Sequence, residues 1–279
     1  MHPIRLFILL IALTLPFGVN AAPEANLWSR WTAHDPGSSV RVDHTAWDEW
    51  LERYVMTGDD GVNRVAYGSV SAADRANLDD YIDRLEAVEV FALNRSEQKA
   101  FWINLYNAGT VKVILDHWPT ETIRDIDISP GFFADGPWGR KLITVEGVPV
   151  SLDDAEHRIL RPIWQDPRIH YAVNCASIGC PNLATSAYTP DNMDNLLDDG
   201  ARNFVNHPRG VRIENGKLIV SSIYEWFRAD FGGNDEGIIA HLRQYADESL
   251  KTAFDGITRI AGDDYDWSIN SMDNMPGSG

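Results

Sequence analysis

The chain has 279 residues, of which 44% are hydrophobic and ten are tryptophan, enough for the core of one large domain or of a domain with a smaller helical piece. Its 41 acidic residues outnumber 24 basic ones and give a formal charge of −17, which argues against nucleic acid or anionic lipid as a partner. Because the acidic residues are spread along the chain, we expect a solvated acidic surface rather than a cation-binding tail.

Residues 1–21 have the pattern of a secretory signal peptide. A short polar start precedes the apolar run Leu6–Val19, and small residues follow up to Ala21, which predicts cleavage after Ala21. An uncleaved N-terminal anchor is the alternative. No later apolar run approaches the roughly 18 residues of a transmembrane helix. We therefore expect a periplasmic or secreted protein with no membrane insertion after cleavage.

The N-terminal region, residues 22–90, is predicted to be helical after an extended start. A short helix is expected near residues 47–51. A capping-box pattern at Ser71 precedes apolar residues at helical spacing, which predicts a second helix. A third helix is predicted from Ser96 to Ile114, and its apolar residues cover nearly the whole circumference. We expect this third helix to be central and buried.

Hairpins, helices and short strands are predicted in the rest of the chain. Turn residues at Glu146-Gly147 and Asn215-Gly216 separate β-favouring runs. The predicted hairpin strands are 141–145 with 148–152 and 211–214 with 217–221. The predicted helices are 154–160, 190–206, 222–231 and 236–245. Further strands are predicted at 170–175, 258–261 and 265–269. The order of elements predicts an α+β fold, with N-terminal helices packed on a small, mostly antiparallel sheet, and a flexible tail at 271–279.

Both cysteines lie in the stretch from His170 to Pro181. The residues up to Cys175 favour a strand that buries this cysteine, whereas Gly179 and Pro181 favour a turn. Cys180 is expected at the strand-to-turn junction, where backbone N–H groups lower a thiol pKa from about 8.5. A regular strand places His170 and Cys175 on opposite faces, so a Cys–His couple is expected to involve Cys180.

A disulfide or a metal site are other interpretations of the cysteines. A Cys175–Cys180 bridge would close a loop of about six residues and stabilise the fold by only about 2 kcal/mol. The Cys-x₄-Cys spacing is at the edge of zinc-ligand spacing, and no second Cys/His pair is present. The chain also lacks the sequence motifs of nucleotide-binding, zinc-protease and α/β-hydrolase sites. We therefore expect neither metal nor cofactor.

Two helices carry further candidate residues. Asn104 and Asn107 lie one turn apart in the apolar third helix, where they either line a pocket and bind substrate or clamp neighbouring backbone. Glu156, His157 and Arg161 lie on the predicted helix that Asp153 would cap. His157 is a candidate base for a thiol, with Glu156 fixing its tautomer and Arg161 binding substrate. An ordinary charged helix surface is the alternative.

Three stretches together resemble the DUF547 family, namely AFWINLYNAGTVKVIL, SLDDAEHRILRP and HYAVNCASIGCPNL. SSIYEWFRADFGG and the Tyr265-Asp266-Trp267 ending agree with this resemblance, which covers roughly residues 90–270. Residues 91–270 are therefore interpreted as a DUF547-like α+β domain. The family is similar to papain-like and transglutaminase-like thiol enzymes. This similarity implies a papain-like fold, with Cys180 as nucleophile and His157 or His170 as base.

Two functions follow from these residues. The first is an exported thiol-dependent amide hydrolase or acyl transferase for a small peptide-like substrate, for example a γ-glutamyl thiol such as glutathione. In this hypothesis Cys180, or failing it Cys175, attacks a carbonyl, and N–H groups of the Gly179–Pro181 turn with the Asn104 amide bind the oxyanion. The second is a non-catalytic periplasmic binding or envelope-assembly module with a Cys175–Cys180 disulfide.

Overall fold

Helices and short strands alternate along the chain, which confirms the α+β class. The computed structural model describes residues 23–131 and 135–272. Within these ranges the helices are α1 Thr45–Tyr54, α2 Ala72–Glu86, α3 Arg95–Asp116, α4 Arg161–Trp164, α5 Met193–Val205, α6 Ser222–Trp226, α7 Asp235–Tyr245 and α8 Glu248–Ala253. The strands are β1 Val55–Thr57, β2 Asn63–Val65, β3 Lys141–Val145, β4 Val148–Ser151, β5 Val211–Glu214, β6 Lys217–Ser221 and β7 Ile260–Asp264. The predicted signal peptide, residues 1–21, lies outside the described residues.

The strands form three small sheets rather than the one sheet predicted. β1–β2 and β3–β4 are antiparallel pairs, and β6 lies between antiparallel β5 and parallel β7. Both predicted hairpins are confirmed. Their turn residues all have positive φ, with 49° and 73° at Glu146 and Gly147 and 52° and 72° at Asn215 and Gly216. This is the conformation that two-residue hairpin turns require.

Helix α3 is buried all round over most of its length, as predicted. Its N-cap is Asn94, whose side chain accepts a 3.0 Å hydrogen bond from the Glu97 N–H, so the helix begins one residue before the predicted start at Ser96. α3 packs against the β3–β4 hairpin at Gly109, where an added Cβ would lie 3.1 Å from Ile143. A larger residue at this position would push the helix away from the hairpin.

The strand predicted at 170–175 is wrong. Residues Pro167–Tyr171 form a 3₁₀ helix, and residues 172–175 are irregular. No neighbouring strand supplies hydrogen bonds there. Side-chain amides take that role, including the amide of Asn107 on α3. α3 therefore packs on a loop that carries the cysteines and not on a sheet.

The helix predicted at 154–160 is a π-helix, Asp154–Leu160, that continues into α4. Asp153 does not cap it. Instead Ser151 and Asp154 bond reciprocally, with the Asp154 N–H donating to Ser151 Oγ at 3.2 Å and the Ser151 N–H donating to Asp154 Oδ2 at 2.9 Å. π-helical turns widen a helix and are frequent at functional sites.

Pro162 does not end this helix, as the sequence had predicted, but lies within α4. Since proline has no N–H, it leaves carbonyl groups of the preceding turn without a helical donor. The carbonyls of His157 and Arg158 accept 2.9 Å hydrogen bonds from the N–H groups of Asn26 and Trp28. The N-terminal arm thereby completes the helix and is fastened beside it.

Several element boundaries differ from the predictions. The helix predicted at 222–231 ends at Trp226, the strand predicted at 258–261 lies at Ile260–Asp264, and 265–269 makes only an isolated bridge through Ile269. The hairpin β1–β2 and helix α8 were not predicted. Ser271 is fully buried, so the ordered chain passes the predicted tail boundary, while residues 273–279 lie outside the described residues.

Two hydrophobic clusters meet at the site. One surrounds α3 with α1, α2 and the β3–β4 hairpin, and the other lies between α5, α6, α7 and the β5–β6 hairpin. Residues 172–181, the cysteine loop, follow the 3₁₀ helix and lie at the boundary between the two clusters. Among the described residues, no helix has the length and apolar character needed to cross a membrane.

Truncation of α3 should weaken the whole fold. Leu105 is fully buried, so Leu105→Ala is expected to lower the free energy of unfolding by about 2–5 kcal/mol because it leaves a cavity. Leu27→Ala is the matched control, since Leu27 is 48% exposed. Urea denaturation followed by circular dichroism measures both. Equal losses in the two variants would contradict the central place of α3.

Candidate active site

A cavity of about 510 Å³ opens where the two hydrophobic clusters meet. All five residues predicted from the sequence as catalytic line it: Cys175, Cys180, Glu156, His157 and His170. Aromatic side chains also line the cavity, namely Trp138, Trp226, Phe227, Tyr265 and Trp267. The fold thus brings residues from the π-helix, from the cysteine loop and from residues 265–271, the C-terminal segment, into one pocket.

Asparagine amides hold the start of the cysteine loop in place. The Asn107 side chain donates to the Ala172 carbonyl and accepts from the Asn174 N–H, both at 2.9 Å. Asn174 in turn donates to the Pro181 carbonyl at 2.7 Å and accepts from the Ala176 N–H at 2.8 Å. Ala176 is held at φ 59°, a left-handed conformation that a residue with a Cβ rarely adopts. The backbone next to Cys175 is therefore constrained into a sharp turn.

The C-terminal segment fixes the far side of the loop. The Ile178 and Gly179 N–H groups each donate at 2.8 Å, to the carbonyls of Ser268 and Asp266. A Cβ on Gly179 would lie 2.8 Å from the Asp266 nitrogen, so glycine is required for this close approach. The pairing places Tyr265 directly over the cysteines.

The two cysteines are unbonded but in contact. Their Sγ atoms lie 3.0 Å apart, and the Cys175 N–H donates to Cys180 Sγ at 3.1 Å. Cys175 Sγ also lies 2.9 Å from the Tyr265 hydroxyl and 3.2 Å from Ser177 Oγ. Cys175 is partly exposed to the cavity, whereas Cys180 is 3% exposed.

This arrangement reverses the predicted order of thiol acidity. The hydrogen bond between the two thiols lowers the pKa of Cys175, because Cys180 stays protonated and can donate to the Cys175 thiolate; Ser177 and Tyr265 help and burial opposes. Burial raises the pKa of Cys180 well above its ordinary value, and its hydrogen bond to Cys175 adds to the rise. The prediction was wrong because Cys175 lies in no strand and because the turn N–H groups near Cys180 already have partners.

A buried carboxyl group lies between the two histidines. Glu156 Oε1 is 3.7 Å from His170 Nδ1 and 3.8 Å from His157 Nδ1. His170 Nε2 lies 2.7 Å from Asp230 Oδ2, and its ring stacks on Phe227 with ring centres 4.1 Å apart. These contacts fix the ring of His170 and direct its Nδ1 toward Glu156.

Arg161 connects both histidines from behind the cavity wall. Its Nε donates to Asp230 at 2.6 Å, and its terminal nitrogen donates to His157 Nδ1 at 3.0 Å and to the Pro23 carbonyl at 2.7 Å. Since His157 Nδ1 accepts, the proton of the neutral ring is on Nε2, which faces Asp153 at 3.6 Å. Arg161 therefore positions the histidines, and it does not line the cavity as the substrate-binding prediction had expected.

Burial shifts the pKa values of this group toward neutral forms. It lowers the pKa of His157 to about 4 against the opposing charge of Asp153, and it lowers the pKa of His170 against the hydrogen bond to Asp230. It raises the pKa of Glu156, opposed first by His170. At neutral pH His157 is an uncharged base.

Neither histidine is hydrogen-bonded to a cysteine in the described part of the chain, so the predicted Cys–His couple does not form in this conformation. Tyrosine hydroxyls lie closer to the reactive groups. Tyr265 contacts Cys175, and Tyr106 lines the cavity and forms a hydrogen bond that lowers the pKa of Glu156. A proton therefore cannot pass directly from the thiol to an imidazole in this conformation, and its transfer requires a bridging group.

The predicted oxyanion site is also wrong. The Asn104 amide donates to the Tyr188 carbonyl at 2.8 Å and accepts from the Tyr188 N–H at 3.0 Å, and it does not line the cavity. The Gly179 and Cys180 N–H groups are bound to backbone carbonyls, and Pro181 has no N–H. Asn104 and Asn107 are thus backbone clamps rather than substrate ligands.

Sequence reasoning missed the roles of Tyr265, Asp230 and Tyr106. Tyr265 lies 90 residues from Cys175 and Asp230 lies 60 residues from His170, so no local spacing connects them. Both lie in stretches that the resemblance had included, and this was the available signal. The described residues contain no group of three His, Cys, Asp or Glu that could hold a metal ion.

Comparison with known proteins gives one family. Residues 90–205 match the family described as "Protein of unknown function, DUF547", as the resemblance had indicated. This segment contains both cysteines, both histidines and Glu156, while Asp230 and Tyr265 come after it. Neither the curated proteins nor the solved structures gave a match to the chain.

Removing the clamp on the loop should destabilise the protein. Asn107→Ala leaves the Ala172 carbonyl and the Asn174 N–H buried without their partner, at an expected cost of about 1–3 kcal/mol in the free energy of unfolding. Asn203→Ala is the control, because Asn203 is exposed on α5. Chemical denaturation measures both. A neutral Asn107→Ala would show that another group holds the loop.

Stability should fall in acid because of buried histidines. The pKa of His157 is about 4 in the folded protein against an ordinary 6.5, so the unfolded state binds more protons in this range and stability is lost as pH falls through it. Glu156 acts in the opposite direction because its pKa is raised. His157→Gln should therefore flatten the fall of Tm between these pH values. An unchanged slope relative to the wild type would contradict the assignment.

Proposed function

We propose that the DUF547 segment, with the C-terminal residues packed on it, forms the active site of an exported cysteine-dependent amide hydrolase or acyl transferase that acts on a small peptide-like substrate. One observation carries this proposal. Cys175 is a free thiol of lowered pKa that is partly exposed in a cavity, beside a buried carboxyl group and two histidines. A nucleophile of this kind needs access, a lowered pKa and a nearby proton donor.

Cys175 takes the role of nucleophile, in place of the expected Cys180. As a thiol, Cys175 donates to Cys180 Sγ at 3.0 Å. Once Cys175 is ionised it has no proton to donate, and its thiolate accepts from the Cys180 thiol and from the hydroxyls of Ser177 and Tyr265. The sulfur attacks the carbonyl carbon of an amide, the C–S bond forms, and the C–N bond breaks as the amine leaves with a proton. Water then hydrolyses the thioester in a hydrolase, or a second amine takes the acyl group in a transferase.

The two histidines and Glu156 transfer protons to the leaving amine and from the attacking water. A neutral imidazole accepts a proton from water in deacylation, and Glu156, whose pKa burial raises, is a candidate donor to the departing amine in its protonated form. Because both histidines are fixed by Asp230 and Arg161, their reactive nitrogens keep one orientation. The Tyr265 hydroxyl is the candidate donor to the oxyanion, because the Cys175 sulfur that it contacts loses its negative charge as the C–S bond forms.

The shape and charge of the cavity support a small substrate with an amino group. A volume of about 510 Å³ fits a short peptide-like molecule. The carboxylate of Asp153, 40% exposed at the wall, lies 3.6 Å from the neutral His157, and Lys141, which is paired with Asp154, also acts on it. Arg124, the arginine that lines the cavity, is paired with Asp135. A γ-glutamyl thiol such as glutathione has a suitable size and an ammonium group.

A serine substitution at each cysteine tests the proposal. With short peptides, γ-glutamyl peptides and simple amides as substrates, Cys175→Ser should lower kcat/KM at least about a thousandfold, because the nucleophile is lost. Cys180→Ser is the matched control and should lower it by about tenfold at most, because the serine hydroxyl can still donate to the Cys175 thiolate. Mass spectrometry of the quenched reaction should show an acyl group on Cys175.

Alkylation distinguishes this function from the non-catalytic envelope module. With iodoacetamide at about pH 6, Cys175 should react at least about tenfold faster than Cys180. Two free thiols of unequal rate support the enzyme. A protein that is purified with no free thiol, and that hydrolyses none of these substrates after reduction, supports the non-catalytic module with a Cys175–Cys180 disulfide instead.

A further inference from the structure

The two thiols differ in access while their sulfur atoms touch. Cys175 is partly exposed at the cavity surface, and Cys180 lies beneath it at 3% exposure with its Sγ 3.0 Å from that of Cys175. We propose that the pair performs thiol–disulfide exchange with small disulfides that enter the cavity, Cys175 attacking the disulfide and Cys180 resolving the mixed disulfide. This activity uses the same cavity as the proposed hydrolase but does not require hydrolysis.

Cys175 is suited to the attack. Disulfides are attacked by thiolates and not by thiols. The contacts of Cys175 with Tyr265 and Ser177 favour its thiolate, and the lowered pKa of Cys175 is consistent with this. The cavity of about 510 Å³ gives a small disulfide access to this sulfur. Cys180 is shielded from the same reagent by burial.

Cys180 is suited to the second step. Its sulfur needs no large movement to reach Cys175, because the loop holds the two in contact. The Cys175 N–H donates to Cys180 Sγ at 3.1 Å and stabilises the thiolate that forms during resolution. The loop that carries both is fixed by Asn107 and Asn174, so the sulfurs stay close.

The exchange balances in two steps. The Cys175 thiolate attacks one sulfur of a small disulfide, a mixed disulfide forms, and one small thiolate leaves. Cys180 then loses its proton to the departing thiolate and attacks Cys175 Sγ, which expels the second small molecule as a thiolate. This second thiolate takes up from solvent the proton that Cys175 released when it ionised. The protein dithiol is oxidised to a disulfide, and one small disulfide is reduced to two thiols. The reverse sequence with excess small thiol restores the dithiol.

Oxidation of this pair also removes the nucleophile of the proposed function. Once Cys175 is bonded to Cys180, its sulfur has no lone thiolate with which to attack an amide. A hydrolase of this design is therefore active only in the reduced state. The redox poise around the protein would set the fraction of active molecules.

Glutathione disulfide is the probe for the test. The full-length reduced protein is incubated with it, quenched with acid and analysed by mass spectrometry. The wild type should become lighter by two hydrogen atoms and release two glutathione molecules. Cys180→Ser should stop at a stable glutathione adduct on Cys175, because no thiol resolves it. Cys175→Ser should react at least about a hundredfold more slowly, since the remaining thiol is buried.

Three results would overturn the proposal: an adduct on Cys180 in Cys175→Ser at the wild-type rate, a wild-type protein that stays glutathionylated, or no reaction of reduced wild type. Cys180→Ala repeats the trapping if Cys180→Ser does not fold, with circular dichroism as the check. The mass readout is independent of hydrolysis. Exchange without hydrolysis would contradict only the proposed function, and acyl transfer without exchange would contradict only this inference.

Discussion

The site depends on one buried amide. Asn107 on α3 bonds to both sides of the loop at Ala172 and Asn174, and it replaces the partner strand that this segment would otherwise need. A buried backbone without such a partner would cost free energy, so the amide determines where the loop lies. α3 itself is held on all sides by the core. The rigid helix thus fixes the backbone next to Cys175.

From this constraint the contacts of the thiols follow. The turn at Ala176 directs Cys175 toward the cavity and leaves Cys180 beneath it, and the C-terminal segment brings Tyr265 within 2.9 Å of Cys175. The resulting inequality of the thiols underlies both the proposed acyl transfer and the proposed exchange. The histidines are fixed by other contacts. Arg161 donates to His157 on the π-helix and to Asp230, and Asp230 is hydrogen-bonded to His170.

The sequence predicted local features better than distant contacts. The hairpins at Glu146-Gly147 and Asn215-Gly216 and the buried helix α3 were predicted because glycine turns and apolar periodicity are local signals. All five predicted catalytic residues line one cavity, although their chemical roles stay predictions. The strand at 170–175 failed because Tyr171 and Val173 favour β structure, while the asparagine amides that override this preference come from elsewhere in the chain.

The order of thiol acidity could not be predicted from the sequence either, because contacts with residues elsewhere in the chain determine it. The N–H groups that seemed available to Cys180 are paired with residues 266 and 177, and the hydroxyl that supports Cys175 comes from residue 265. The papain-like similarity and the signal peptide at residues 1–21 stay predictions. The match of residues 90–205 to the DUF547 family model is consistent with a site built on α3, the π-helix and the cysteine loop.

Cys175 is the acidic thiol because its thiolate is hydrogen-bonded by the neighbouring Cys180 thiol. The most direct measurement is the pH titration of thiolate absorbance in the reduced wild type, in Cys180→Ala and in Cys175→Ala. The wild type should show one thiolate with a pKa below the ordinary value of about 8.5, and Cys180→Ala should raise that pKa because the donor to the thiolate is lost. A low pKa that persists in Cys175→Ala, or that Cys180→Ala leaves unchanged, would contradict the account.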